Sequence, residues 1–154
     1  HDLLVDQYSE YAEVFILGYQ SNPYPIVRSA ELFVMTSLWE GLPISLLEAL
    51  CLEVPIVVSD CSDSIKNILD MKNDIEDRAK RGHDNFRTEY GCFMPKPDMT
   101  NVMATVLLWS NAIIGMLNDS GYRRQCSNQS KIKADCFDID VVSAIWRKTI
   151  FNNL

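Results

Sequence analysis

Two glutamates, Glu40 and Glu48, are separated by seven residues and bracket the turn Gly41-Leu42-Pro43. Glu48 follows Leu46-Leu47 and precedes Ala49-Leu50-Cys51, an apolar setting for a charge. A carboxylate there needs donors, and the diol of a ribose supplies two hydroxyls to the two oxygens of one carboxylate. Glu40, on a loop, can accept from the hydroxyls of a bound sugar in the same way. The plainer alternative makes Glu40 a helix cap, favoured by the dipole, and leaves Glu48 in solvent. Spacing alone does not separate the two. Pro43 suits an early helical position, where a missing N–H costs little, and Gly41 lets a ligand approach the backbone closely. The first N–H groups of the helix that follows form a natural phosphate cradle. A second candidate loop runs from Gly18 and Tyr19 through Gln20, Ser21 and Asn22 to Pro23.

Other chemistries lack their residues. His1 and His83 are the only imidazoles, too few for a His-based metal site or a His-dependent triad. Five cysteines, an odd number with no C-x-x-C pair, read as inert thiols of a reducing compartment. Fourteen basic against 21 acidic residues give a charge of −7, which argues against nucleic-acid or anionic-membrane binding. No apolar run approaches the roughly 20 residues that span a bilayer, and no signal peptide is read at the start. His1 in place of Met reads as an excised piece of a longer chain.

The elements that position these residues are read from apolar runs. Val14–Leu17, Leu32–Met35, Ile56–Val58 and Cys92–Met94 are continuous rather than alternating, as strands of a parallel sheet buried on both faces are. Helices are predicted over 24–30 and from Pro43 to Leu52. Strand and helix in alternation read as an open α/β sheet, whose ligands bind beyond the carboxyl ends of the strands. The charged interval 71–89 is expected to be a solvated helix or mobile insertion, with a substrate-facing flap as its functional reading. Three helices are predicted to complete the chain, over about 99–117, 121–134 and 138–152. Trp109 and Trp146 are expected as core or interface anchors.

The words Val14 to Pro23, Ala30 to Pro43, Leu47-Glu48-Ala49-Leu50 and Pro55-Ile56-Val57-Val58 closely resemble the donor-binding half of retaining glycosyltransferases of the GT4 type, whose hallmark is a glutamate pair spaced as Glu40 and Glu48 are. Tyr90 to Pro95 and the helix from Phe137 to Trp146 fit the same family. The resemblance implies a Rossmann-like open parallel sheet flanked by helices, one half of a GT-B fold. Residues 1–154 would be a partial C-terminal nucleotide-sugar-binding domain. The phosphate-clamping Arg and Lys and the N-terminal acceptor domain would lie upstream.

Residue by residue, the resemblance implies that Glu40 contacts the donor sugar and Glu48 the ribose. The N–H groups of Gly41 and Leu42 would approach the diphosphate, and the turn at Gly18 and Tyr19 would border the base. The donor would be a UDP-, GDP- or ADP-sugar and the acceptor a glycan or lipid-linked molecule, with no metal and no other cofactor. Glu40 would orient the sugar and stabilise developing charge rather than act as a nucleophile. A cytoplasmic location follows from the family, with the parent protein peripheral at the inner membrane face. The chain departs from the family at Glu53-Val54-Pro55, where a glycine usually precedes the proline, and at Ser62 to Leu69, where a glycine-containing turn is common. Arg28 and Lys66 are the nearest basic candidates for the phosphates. Competing expectations are a flavodoxin-like signalling or interaction domain, keyed on Asp60 after the third strand, and a catalytically dead transferase-like scaffold.

Overall fold

The computed structural model describes residues 12–71 and 86–151. In chain order it contains α1 (Tyr24–Arg28), β1 (Phe33–Met35), α2 (Ile44–Cys51), β2 (Ile56–Ser59), α3 (Asp63–Ile68), β3 (Gly91–Met94), α4 (Val102–Asn118), α5 (Ser120–Asp135) and α6 (Ile139–Phe151). The strands form one parallel sheet in the order β1-β2-β3, with Phe33 opposite Ile56 and Ile56 opposite Gly91. This is the expected Rossmann-like α/β architecture. Every residue of β2 and of β3 is buried, so their apolar runs are covered on both faces, as the unbroken hydrophobic pattern requires. Each buried Ile, Val or Phe contributes about 1.5–3 kcal/mol of burial energy.

α2 connects β1 to β2 and buries Leu46, Ala49 and Leu50. It packs chiefly on α5. Its C-terminus closes in a Schellman pattern: the Val54 N–H donates to the Ala49 carbonyl and the Glu53 N–H to the Leu50 carbonyl, both at 3.0 Å. Glu53 takes the left-handed position of that motif, with φ of 62°. The glycine missing at this point of the sequence is therefore missing in sequence only; the backbone holds the glycine-like conformation with a glutamate in it. α3 ends the same way. Met71 N–H reaches the Lys66 carbonyl at 2.8 Å, and Asp70 sits in the left-handed position with φ of 52°.

One expectation needs correction. Val14–Leu17 is not a strand; it is exposed, Phe15 to 73%. A strand exists through the neighbour that takes its N–H and C=O groups, and no described residue supplies one here. Trp109, at 5% exposure, is a core anchor as expected, and Trp146, at 62%, lies outside the core. α4 buries Trp109 and Met116, yet Met103, Val106, Leu107 and Ile114 on the same helix are exposed, leaving much of its apolar stripe uncovered. α3 was not anticipated. Most of the 71–89 interval, and hence the flap reading, lies outside the described residues, as do His1 and His83.

No single helix among the described residues is long and apolar enough to cross a membrane; α4 and α5 pass by length and composition only as a pair bent by 91°.

Candidate functional site

The loop Thr36–Leu42 leaves the carboxyl end of β1 and delivers the chain to the start of α2. Because Met35 pairs with Val58, the chain leaves the two strands side by side at Thr36 and Ser59, with Ser37 one residue beyond. The Ser59 hydroxyl, fully buried, donates to the Ser37 carbonyl at 2.6 Å. The Ser37 hydroxyl donates to Glu40 Oε1 at 2.7 Å. From the other side Ser64, in the first turn of α3, donates to the Gly41 carbonyl and shares a 2.7 Å hydroxyl contact with Ser62. Glu40 is half-buried in this frame. Pro43 is the N-cap residue of α2, and no side chain caps the helix, so Glu40 does not serve as its cap.

Beyond the frame the surface is open. Leu42 is exposed, and a Cβ placed on Gly41 would meet nothing within 4 Å. The first N–H groups of α2 have no intrahelical acceptor. They lie beside Gly41 and Leu42, at the carboxyl end of the sheet where α/β proteins take their ligands.

Glu48 stands in the second turn of α2 and is half-buried. The Tyr24 hydroxyl donates to its Oε1 at 3.3 Å. Both residues line a cavity of about 670 Å³ between α1, α2 and the junction of α5 and α6, together with Arg28, Cys51, Lys131 and Phe137. Glu40, Gly41, Leu42, Gly18 and Tyr19 do not line it. The structure thus brings Glu40, Gly41 and Leu42 together in one loop and places Glu48 at a separate cavity on the same helix system. Gly18 adopts a left-handed φ of 62°, and Tyr19 beside it is 93% exposed. Gln20 spends its amide on the Leu17 carbonyl at 2.7 Å, and the Asn22 side chain accepts from Tyr24 N–H at the start of α1.

The charged residues around these groups are partly committed. Lys66 pairs with Asp60 at 3.3 Å and with Asp63 at 3.7 Å. Asp60, the acid on which the signalling alternative depends, is only 8% exposed at its side chain. Arg28 lines the cavity beside Glu48. Burial, followed by the charges of Asp135 and Glu48, pushes the Cys51 thiol above its ordinary pKa, so it stays protonated and is not an activated nucleophile. Among the described residues no three His, Cys, Asp or Glu side chains cluster as metal ligands would.

Sequence reasoning missed Tyr24, Ser37 and Ser59. Ser37 stands three residues before Glu40, a spacing at which a hydroxyl commonly meets a turn residue. Ser59 carries no local signal, because its partner is 22 residues away.

Residues 2–75 match the model of the family Glycosyl transferases group 1. Glu40, Glu48 and every other site residue named above up to Lys66 fall inside that match. The chain is 26% identical over 162 residues to an uncharacterized glycosyltransferase of Methanocaldococcus jannaschii, an alignment that takes in 96% of this chain and 37% of the relative. Over 60 residues it is 33% identical to the UDP-Gal:alpha-D-GlcNAc-diphosphoundecaprenol alpha-1,3-galactosyltransferase of Escherichia coli, covering 37% of this chain and 16% of that enzyme. The chain spans well under half the length of these curated relatives.

Proposed function

Starting from the group 1 glycosyltransferase domain that the chain carries, we propose that it is the donor-binding part of a retaining transferase and takes a nucleotide-diphosphate sugar. Glu48 accepts the ribose hydroxyls. Glu40 accepts hydroxyls of the transferred sugar and stabilises the positive charge that develops on it as the glycosidic bond breaks. The N–H groups of Gly41, Leu42 and the first turn of α2 approach the diphosphate, and the Gly18–Tyr19 turn borders the base. No metal is required in this scheme. The parent enzyme transfers the sugar to a glycan or lipid-linked acceptor of the cell surface from the cytoplasmic side, using an acceptor domain outside residues 1–154.

The observation that carries this reading is the state of Glu48. A half-buried carboxylate has one hydrogen-bond donor among the described residues, Tyr24 at 3.3 Å, and it opens on a cavity of about 670 Å³. Its remaining acceptor sites have no protein donor among the described residues and are not buried, so an incoming ligand can reach them. A ribose would complete the set.

Charge sets the expected strength. A diphosphate enters a chain of net charge −7, and an exposed helix end contributes only about 0.3–1 kcal/mol. With Lys66 already paired, the isolated chain binds its nucleotide weakly and transfers nothing. Calorimetric titration of UDP, GDP and ADP into the chain and into its Glu48→Ala variant tests the assignment. One nucleotide should bind, and the variant should lose about tenfold or more in affinity, the range for hydrogen bonds to a charged group. Binding indifferent to Glu48 would remove the basis of the reading.

A further inference from the structure

The Ser59–Ser37–Glu40 chain is continuous from the floor of the sheet to the loop surface. Ser59 is wholly buried at the end of β2, and its hydroxyl fixes the Ser37 peptide at 2.6 Å. Ser37 turns its own hydroxyl outward to Glu40 Oε1 at 2.7 Å, a charge-assisted contact. Glu40 Oε2 has no donor among the described residues, so one oxygen is anchored and the other is presented. A free glutamate side chain loses rotamer entropy when a ligand orders it; one already held does not. Ser64 secures the far side of the same loop through the Gly41 carbonyl.

We infer that Ser59 and Ser37 are positioning residues that hold the Glu40 carboxylate ready for the donor sugar, Ser59 acting through the Ser37 peptide and Ser37 by direct contact. The inference rests on the proposed contact between Glu40 and the sugar. It assigns neither serine a contact with substrate. It also separates two roles within the loop: the serine chain governs recognition of the sugar, and the backbone N–H groups govern the diphosphate.

The test compares the affinity for a nucleoside diphosphate with that for the corresponding sugar nucleotide, using UDP with UDP-galactose, GDP with GDP-mannose and ADP with ADP-glucose. The variants are Glu40→Gln, Ser37→Ala, Ser59→Ala and Ser59→Thr. Glu40→Gln should weaken the sugar nucleotide selectively. Ser37→Ala should do the same by about tenfold, Ser59→Ala by a smaller factor, and Ser59→Thr, which keeps the hydroxyl, should restore the wild-type ratio. A merely structural role would lower both affinities together and leave their ratio unchanged. If Glu40→Gln shifts the ratio and Ser37→Ala does not, the positioning inference falls alone; if Glu40→Gln leaves it unmoved, the sugar contact falls and takes the inference with it.

Discussion

Glu53→Gly and Asp70→Gly are the same substitution at the same position of the same motif, and they should move stability in opposite directions. Both residues occupy the left-handed site of a Schellman motif, at φ of 62° and 52°. A side chain there costs about 1–2 kcal/mol, and glycine relieves it at an entropic cost of about 0.5–1 kcal/mol. The backbone part thus favours glycine by about 0.5–1 kcal/mol at either site. The side chains differ. Glu53 pairs with Lys131 at 3.4 Å, both partners well exposed, an interaction worth about 0–1 kcal/mol. Asp70 pairs at 2.6 Å with Lys133, whose side chain is only 10% exposed and whose ammonium also lies 5.7 Å from the Phe137 ring centroid. Removing Asp70 leaves a nearly buried cation without its carboxylate, a loss of about 2–3 kcal/mol. Glu53→Gly should therefore be neutral or stabilising by up to about 1 kcal/mol, and Asp70→Gly destabilising by about 1–2 kcal/mol. Urea unfolding at pH 7 followed by circular dichroism measures both. In a Lys133→Met background the Asp70→Gly cost should vanish or reverse, because no cation is then orphaned. Equal effects at the two sites, or a cost at Asp70 that survives Lys133→Met, would refute the assignment of that cost to the lysine.

Gly91→Ala should prevent stable folding, at a cost of at least about 4 kcal/mol. Gly91 has φ of 148°, and a Cβ there would fall 1.8 Å from the Ile56 carbonyl oxygen, inside the β2–β3 ladder; soluble expression with a wild-type urea midpoint would contradict this. Asp119 caps α5 by accepting the Tyr122 N–H at 2.9 Å and pairs with Arg87 at 2.9 Å. Those two contacts, the backbone N–H first and the guanidinium second, hold its carboxyl below the usual range. Its folded pKa is depressed, so its contribution is present above the unfolded value and is lost as pH falls through the folded one. Asp119→Asn keeps a capping oxygen but does not titrate. Wild type should exceed the variant in urea midpoint at neutral pH, with the gap closing below about pH 4; a gap that persists under acid would count against the charge.

Much of the fold follows from local signals. Ile56-Val57-Val58 and Cys92-Phe93-Met94 are dense enough in apolar residues that only burial on both faces accommodates them, and they became β2 and β3. The Gly41-Leu42-Pro43 turn marked the start of α2 to within a residue. What failed was non-local. Val14–Leu17 has the composition of a strand, but a strand is made by its neighbour, and four residues carry no record of one. Trp109 and Trp146 both sit in helices with apolar neighbours; one is buried and the other faces outward, a difference decided by packing. At the candidate site, Glu40 and Glu48 stood out by their spacing around Gly41-Leu42-Pro43 and, for Glu48, by an apolar sequence setting. Ser59 did not, since a serine at a strand end is common and its hydroxyl meets the Ser37 carbonyl from 22 residues away in the chain.

The ties along α5 and the serine frame stand at opposite ends of the sheet. α5 is a largely polar helix, yet it fastens each crossover at the amino end of its strand. Arg123 reaches Glu31 at 2.9 Å just before β1, and Lys131 reaches Glu53 just before β2. The Tyr122 hydroxyl lies 2.7 Å from the Thr88 carbonyl and 2.6 Å from that of Gly91 at the entrance to β3, sharing one proton between them. Lys133 closes the end of α3 through Asp70. The serine frame stands at the opposite, carboxyl end of β1 and β2, and its bonds go to loop carbonyls and to Glu40 rather than to α5. The α5 ties thus gather at the amino edge of the sheet and the serine frame at the carboxyl edge, while the Glu48 cavity is itself lined by Lys131, Ala134 and Asp135 of α5. Mutations at Tyr122 and Arg123, which do not line the Glu48 cavity, should change unfolding free energy while sparing ligand affinity, those at Ser37 should do the reverse, and those at Lys131, which lines the cavity, should move both.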